Sequence, residues 1–143
     1  MLIPGRCQCG NISFILEWRP DPIEIPARAC SCSFCATHAG VWTSCPSGKL
    51  QVRIKNPAQV RKHSFATETA QFHVCEGCGD VPLVTSQIEG QVFAVINTHA
   101  LQGIAPRLLK HQPASFDGES LEARLTRRRQ KWIAEVPISE DPV

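Results

Sequence analysis

No stretch of this 143-residue sequence is long and apolar enough to cross a membrane as a helix. The opening Met1-Leu2-Ile3-Pro4-Gly5-Arg6 likewise offers no charged leader followed by an apolar run. Together these absences predict a soluble, cytoplasmic protein whose thiols stay reduced. That expectation matters because the cysteine count, eight, is even, and an even count in a small secreted domain would read as a disulfide framework. Internal repeats and low-complexity segments are also missing, so one domain is the default at this length. The tripeptide Asn11-Ile12-Ser13 fits a glycosylation sequon, but without a secretory route it reads as the start of a strand.

What the sequence does contain is clustered sulfur. Seven of the cysteines fall into Cys7-x-Cys9, Cys30-x-Cys32-x-x-Cys35 and Cys75-x-x-Cys78. A pair cannot saturate a tetrahedral ion, so Cys7 and Cys9 need a partner pair, and Cys75 with Cys78 is the other pair present. The simplest partition is one four-thiolate site plus one three-thiolate site that keeps a position open for reaction. Residues two apart on a strand point the same way at about 6.6 Å. Sulfurs sharing a zinc ion at about 2.3 Å are just under 4 Å apart, so modest bending suffices. Gly10 and Gly79 follow the second cysteine of each pair, where a backbone swinging around a metal needs positive φ. With seven thiolates and two zinc ions the formal charge of +2 falls to about −1, which does not support a general affinity for nucleic acid.

The rest of the chain reads as mainly β. Ile12, Phe14, Leu16 and Trp18 alternate, as do Leu50, Val52 and Ile54, which end at the turn signal Asn56-Pro57. Further strands are expected at Val60 to Phe65, Thr69 to Val74, Val81 to Gln87 and Gln91 to Asn97, whereas the three prolines of Pro20 to Pro26 predict a loop or edge segment. Glu119 to Ile133 has helix-forming composition, with Leu121 and Leu125 on one face and Trp132 and Ile133 extending it.

Gly5-Arg6-Cys7-Gln8-Cys9-Gly10, Cys30-Ser31-Cys32-Ser33-x-Cys35 with Gly40, and Cys75-Glu76-Gly77-Cys78-Gly79, in that order, resemble the glutathione-dependent formaldehyde-activating enzyme family, which includes centromere-protein-V-like proteins. The resemblance implies an Mss4-like fold of small antiparallel sheets with two zinc ions per chain, covering residues 3–118, and residues 119–143 are expected as a helix and tail packed on the same domain. It further implies that Cys7, Cys9, Cys75 and Cys78 hold a structural zinc and that Cys30, Cys32 and Cys35 hold a catalytic one. The implied activity is carbon–sulfur lyase-type chemistry on a thiol adduct, condensing formaldehyde with glutathione to S-hydroxymethylglutathione. Glutathione is thus the expected small-molecule thiol partner, although the sequence carries no recognisable glutathione motif.

A thiol that coordinates an open zinc position is deprotonated, which makes it a nucleophile at neutral pH. On that reading Cys30, Cys32 and Cys35 are ligands and not covalent nucleophiles. Two residues are candidates to close the site instead, His38, three positions after Cys35, and Cys45. Either would favour the alternative of a non-catalytic two-zinc module that binds protein or nucleic acid. Cys45 otherwise reads as a buried small side chain in a strand over Val41 to Pro46. His73 is either an orienting neighbour of a ligand thiolate or a surface strand residue. His99, after a strand end, is a candidate to line a substrate site, while His63 and His111 read as exposed. Arg127-Arg128-Arg129 with Lys131 has the look of a phosphate or nucleic-acid patch, but on a surface helix it reads as a solvated face. Asp117-Gly118 reads as the turn before that helix, its acid able to cap it.

Overall fold

The computed structural model describes residues 1–30, 35, 40–64, 69–114 and 118–141, with Cys30 through its backbone alone. Strands β1 (Leu2–Arg6), β2 (Ile12–Glu17), β5 (Lys49–Ile54) and β11 (Ile138–Glu140) form a four-stranded sheet in the order β1-β2-β5-β11. A seven-stranded sheet runs β10-β3-β4-β9-β8-β7-β6, from β3 (Ile25–Cys30), β4 (Val41–Thr43), β6 (Val60–His63), β7 (Gln71–Cys75), β8 (Leu83–Ile88), β9 (Gln91–Asn97) and β10 (Leu109–Ala114). Most pairs are antiparallel, but β10 lies parallel to β3 and β11 parallel to β5. The expectation of a mainly β chain with a C-terminal helix is met.

Period-two alternation explains the packing. Ile12, Phe14 and Leu16 of β2 and Leu50, Val52 and Ile54 of β5 point inward, in register with one another, and meet Ile25, Leu83, Ala94 and Ile96 of the larger sheet. Each fully buried aliphatic side chain there contributes roughly 1.5–3 kcal/mol. The opposite face of the larger sheet carries a second apolar layer of Trp42, Phe72, Val74, Val84, Phe93 and Val95. Helix α1 (Leu121–Lys131) begins at Ser120, whose hydroxyl accepts from the Ala123 amide at 3.1 Å, and it lends Leu125 and the following Trp132 to that layer.

Several expectations need correction. Residues 20–24 of the proline-rich segment lie outside any strand, as expected, but Ile25 and Pro26 already belong to β3, Pro26 being tolerated because it faces β10 and the pairing to β4 begins only at Arg28. The strand expected over Val41 to Pro46 is shorter, ending at Thr43. Leu121 is 53% exposed, so the apolar stripe starts at Leu125, and Trp132 and Ile133 follow the helix instead of lying within it. Ile133 is wholly buried and exchanges backbone hydrogen bonds of 2.9 and 3.0 Å with Ala94. Asn11 is buried and bonded both ways to the Asn56 backbone, as befits a strand entry and not an exposed sequon. Phe65 and Asp117 lie outside the described residues.

Candidate metal centre

The turn between β1 and β2 and the turn between β7 and β8 meet face to face. Cys7, Cys9, Cys75 and Cys78 place their sulfurs within 4.8 Å of one another. Cys7 and Cys9 sulfurs are 3.7 Å apart and Cys9 and Cys75 sulfurs 3.5 Å apart, far beyond a disulfide bond of about 2.05 Å. Those separations fit the edge of a tetrahedral thiolate site, just under 4 Å for metal–sulfur bonds of about 2.3 Å. The four side chains could therefore hold one metal ion.

Backbone geometry shapes the cradle. Gly10 and Gly79 share φ of +81°, a conformation that costs a side-chain-bearing residue dearly. It lets the chain fold back so that the Gly10 amide reaches the Cys7 carbonyl at 3.0 Å and the Gly79 amide the Cys75 carbonyl at 2.6 Å. Asp80 ties the two turns together, its carboxylate accepting from the Gln8 amide at 2.7 Å. The Ile12 amide points at the Cys7 sulfur at 3.3 Å. Without an ion, burial pushes the Cys75 thiol up to about 12 and raises Cys7 as well, while the Asn11 amide draws Cys9 down to about 7. Four thiolates in this position thus need a cation to balance them.

The third cluster is described in part. Cys32 and His38 lie outside the described residues, and of Cys30 only the backbone is described, at the end of β3. Cys35 is buried in the second apolar layer, its sulfur accepting a hydrogen bond from Trp42 Nε1 at 3.4 Å and its carbonyl accepting from the Gly40 amide at 2.7 Å. Cys45 belongs elsewhere. It packs in the core between the sheets, with its thiol toward the Arg19 carbonyl and the Ser47 hydroxyl, each at 3.6 Å.

The histidines separate. His73 is 3% exposed, which overturns the surface reading, and its Nε2 meets Thr85 Oγ1 at 2.8 Å while Nδ1 has no partner. Burial, and then the Lys62 charge, lower its pKa to about 4, so it is neutral. His99 and His111 are exposed and His63 is half-buried. A trough of about 600 Å³ on the outer face of the smaller sheet, bounded by Arg6, Ile15, Arg53 and Ile138, contains none of the cysteines.

The arginine run is not a uniform solvated face. Glu119 pairs with Arg127 at 2.9 Å and Arg124 at 3.4 Å, and Arg129 with Glu89 at 3.4 Å, but Arg128 is only 7% exposed. Burial lowers its pKa to about 10, assisted by Arg127 and Arg124. Leu125, Arg128 and Trp132 are spaced three and four apart, the one sequence signal that puts Arg128 on the inward face.

Two paired cysteine turns that meet across two sheets define a four-thiol site that could bind one metal ion. The chain matches the sequence model of the glutathione-dependent formaldehyde-activating enzyme over residues 2–114, and it belongs to that family. A crystal structure of a Rhodobacter sphaeroides protein, 22% identical, superposes with a TM-score of 0.53 over 73% of this chain and 92% of that one, a likeness of fold alone. No curated protein matches. Among the described residues no helix is long and apolar enough to cross a membrane.

Proposed function

We propose that the chain is a zinc-dependent enzyme that makes or breaks the carbon–sulfur bond of a thiol–aldehyde adduct, S-hydroxymethylglutathione being the reference substrate, in a reducing, cytoplasmic setting. The observation that carries this reading is the convergence of Cys7, Cys9, Cys75 and Cys78 on one point. Four ligands close that site, and its pairs are spent, so the remaining triad of Cys30, Cys32 and Cys35 is the reactive one. Family membership supplies the thiol and the aldehyde.

In this reading Cys7, Cys9, Cys75 and Cys78 hold a structural zinc, and Cys30, Cys32 and Cys35 hold the catalytic one. Bound there, zinc would supply Lewis acidity and favour the thiolate form of a soft sulfur substrate. The chain's own groups do the rest. Trp42 Nε1–H fixes the Cys35 sulfur by a hydrogen bond, and the apolar layer around Cys35 limits access of water. In the condensation the thiol sulfur bonds to the aldehyde carbon, the carbonyl π pair moves to oxygen, and the thiol proton ends on that oxygen; the lyase direction reverses each step.

The test is Cys32→Ser in the full chain. One of two zinc ions should be lost by metal analysis, the fold should persist, and turnover of a glutathione–formaldehyde mixture, followed by exchange NMR, should vanish. Retained turnover, or unfolding with loss of both ions, would refute the assignment.

A further inference from the structure

The buried guanidinium of Arg128 has a half-used hydrogen-bonding set. Its Nη1 donates to the Thr69 carbonyl at 3.1 Å, Thr69 Oγ1 at 2.9 Å and Ser86 Oγ at 3.1 Å, all neutral oxygens. Its Nε is buried and unpaired, and among the described residues its side-chain hydrogen bonds all come from Nη1. The Nε–Nη2 edge is the one that takes a carboxylate with two parallel hydrogen bonds. Among the described residues no carboxylate is bonded to it; Glu119 pairs with Arg124 and Arg127. A buried charge with no carboxylate bonded to it is costly, and the ring of Trp132, 5.0 Å from the guanidinium carbon, repays only part of that cost.

Position gives the orphan edge a meaning. Arg128 stacks on Trp132, and Trp132 belongs to the same apolar layer as Cys35. Trp42, which bonds the Cys35 sulfur, meets Phe72 edge-on at 5.9 Å, and Phe72 stands in register with Val84. Ser86, an Nη1 partner of Arg128, lies two residues along the same strand, about 6.6 Å away on the same face.

We propose that Arg128 is a specificity-determining residue that grips a carboxylate of the thiol substrate through its Nε–Nη2 edge, on the sheet face that carries Cys35. This rests on the reading of the Cys30, Cys32 and Cys35 cluster as the site of thiol chemistry. The ligand class is a small thiol bearing a carboxylate, such as glutathione. Thiols lacking the acid are discriminated against because they leave the guanidinium unpaired.

Calorimetric titration of the metal-loaded full chain tests the proposal with two probes. S-methylglutathione keeps both carboxylates but has its thiol blocked, and its diethyl ester lacks the carboxylates. Arg128→Gln should weaken the diacid at least about tenfold and change the diester less than about twofold. Equal weakening of both probes, or of neither, overturns it, since a purely structural arginine would not tell them apart. If Arg128→Gln fails to fold, Arg128→Lys decides. It keeps the charge but loses the planar pair of donors, so it should weaken the diacid selectively, and equal affinity overturns the proposal. Arg128-dependent binding of the diacid without any turnover would keep this inference and sink the enzymatic reading. Turnover with the same KM for glutathione and its diester would do the reverse.

Discussion

Replacing Cys78 by alanine asks how much of the fold depends on the four-cysteine centre. The centre joins the turn after β1 to the turn after β7, with Cys9 and Cys75 separated by 66 positions. Treated as a cross-link, closure of a loop of that length is worth about 4 kcal/mol of chain entropy. A small domain has only about 5–15 kcal/mol in total, and apparent zinc-binding energies for structural sites are larger still, about 10–16 kcal/mol. Cys78→Ala leaves three ligands and should release the ion, lowering the melting temperature by at least about 15 °C for a chain of this size. Thermal denaturation by circular dichroism, with metal content measured on the same sample, reads both effects. Cys45→Ala is the control, since Cys45 is buried in the core between the sheets yet lies outside the centre; it should cost about 1 kcal/mol or less. A Cys78→Ala protein melting within about 3 °C of the parent would refute the cross-link argument.

Three other perturbations probe different parts of the molecule. Gly5 lies under the Phe14 ring, so the Cβ of Gly5→Ala would overlap it; a loss of about 1–3 kcal/mol in urea denaturation is expected, partly recovered by adding Phe14→Leu, and no loss would mean the ring moves aside freely. Ile133→Ala tests the proposal that residues 119–143 fold with residues 3–118: a wholly buried side chain should cost about 2–5 kcal/mol, and under about 1 kcal/mol would make the C-terminal segment an appendage. Arg127, followed by Arg124, holds the Glu119 carboxyl below its usual range despite partial burial. That stability is present above the unfolded pKa of about 4.3 and is lost as pH falls through the folded value. Glu119→Gln should therefore be less stable than the parent at pH 7 by about 1–2 kcal/mol, with the gap closing in acid; a gap unchanged down to about pH 3 contradicts the pairing.

Cysteine arithmetic was legible in the sequence because coordination number is a hard constraint. Two pairs at fixed spacing, each followed by glycine, leave few ways to fill a tetrahedron, and Gly10 and Gly79 share the left-handed φ that this requires. Strands with one buried face were legible too, since β2 and β5 alternate as their sequences indicate, and β9 spans the expected Gln91–Asn97 with both faces buried. The strands β1, β3, β10 and β11 were not. β10 and β11 have mostly exposed side chains and pair in parallel with distant partners, so no local alternation marks them. β3 was hidden by prolines that the parallel neighbour tolerates. Arg128 was misread because three consecutive arginines resemble solvated charge, and only packing distinguishes the middle one.

The two faces of the larger sheet are stabilised in different ways, and that difference organises the candidate chemistry. Toward the smaller sheet, aliphatic side chains interdigitate, and the four-cysteine centre clamps the sheets where Cys7 and Cys75 enter that core. Toward helix α1, the layer is aromatic and contains two groups with bonding capacity directed at neighbours across it: the Trp42 indole on the Cys35 sulfur and the Arg128 guanidinium over Trp132. An apolar layer built for stability alone would lose little by replacing a buried arginine with leucine or methionine, since ion-free cores of similar volume are often as stable or more so. Keeping a charge whose carboxylate-binding edge is unspent at that place is intelligible if a carboxylate arrives with the substrate. Under that proposal the fold would divide its labour, with the four-cysteine cluster on one face of the larger sheet and the layer that holds Cys35 and Trp132 serving the substrate on the other.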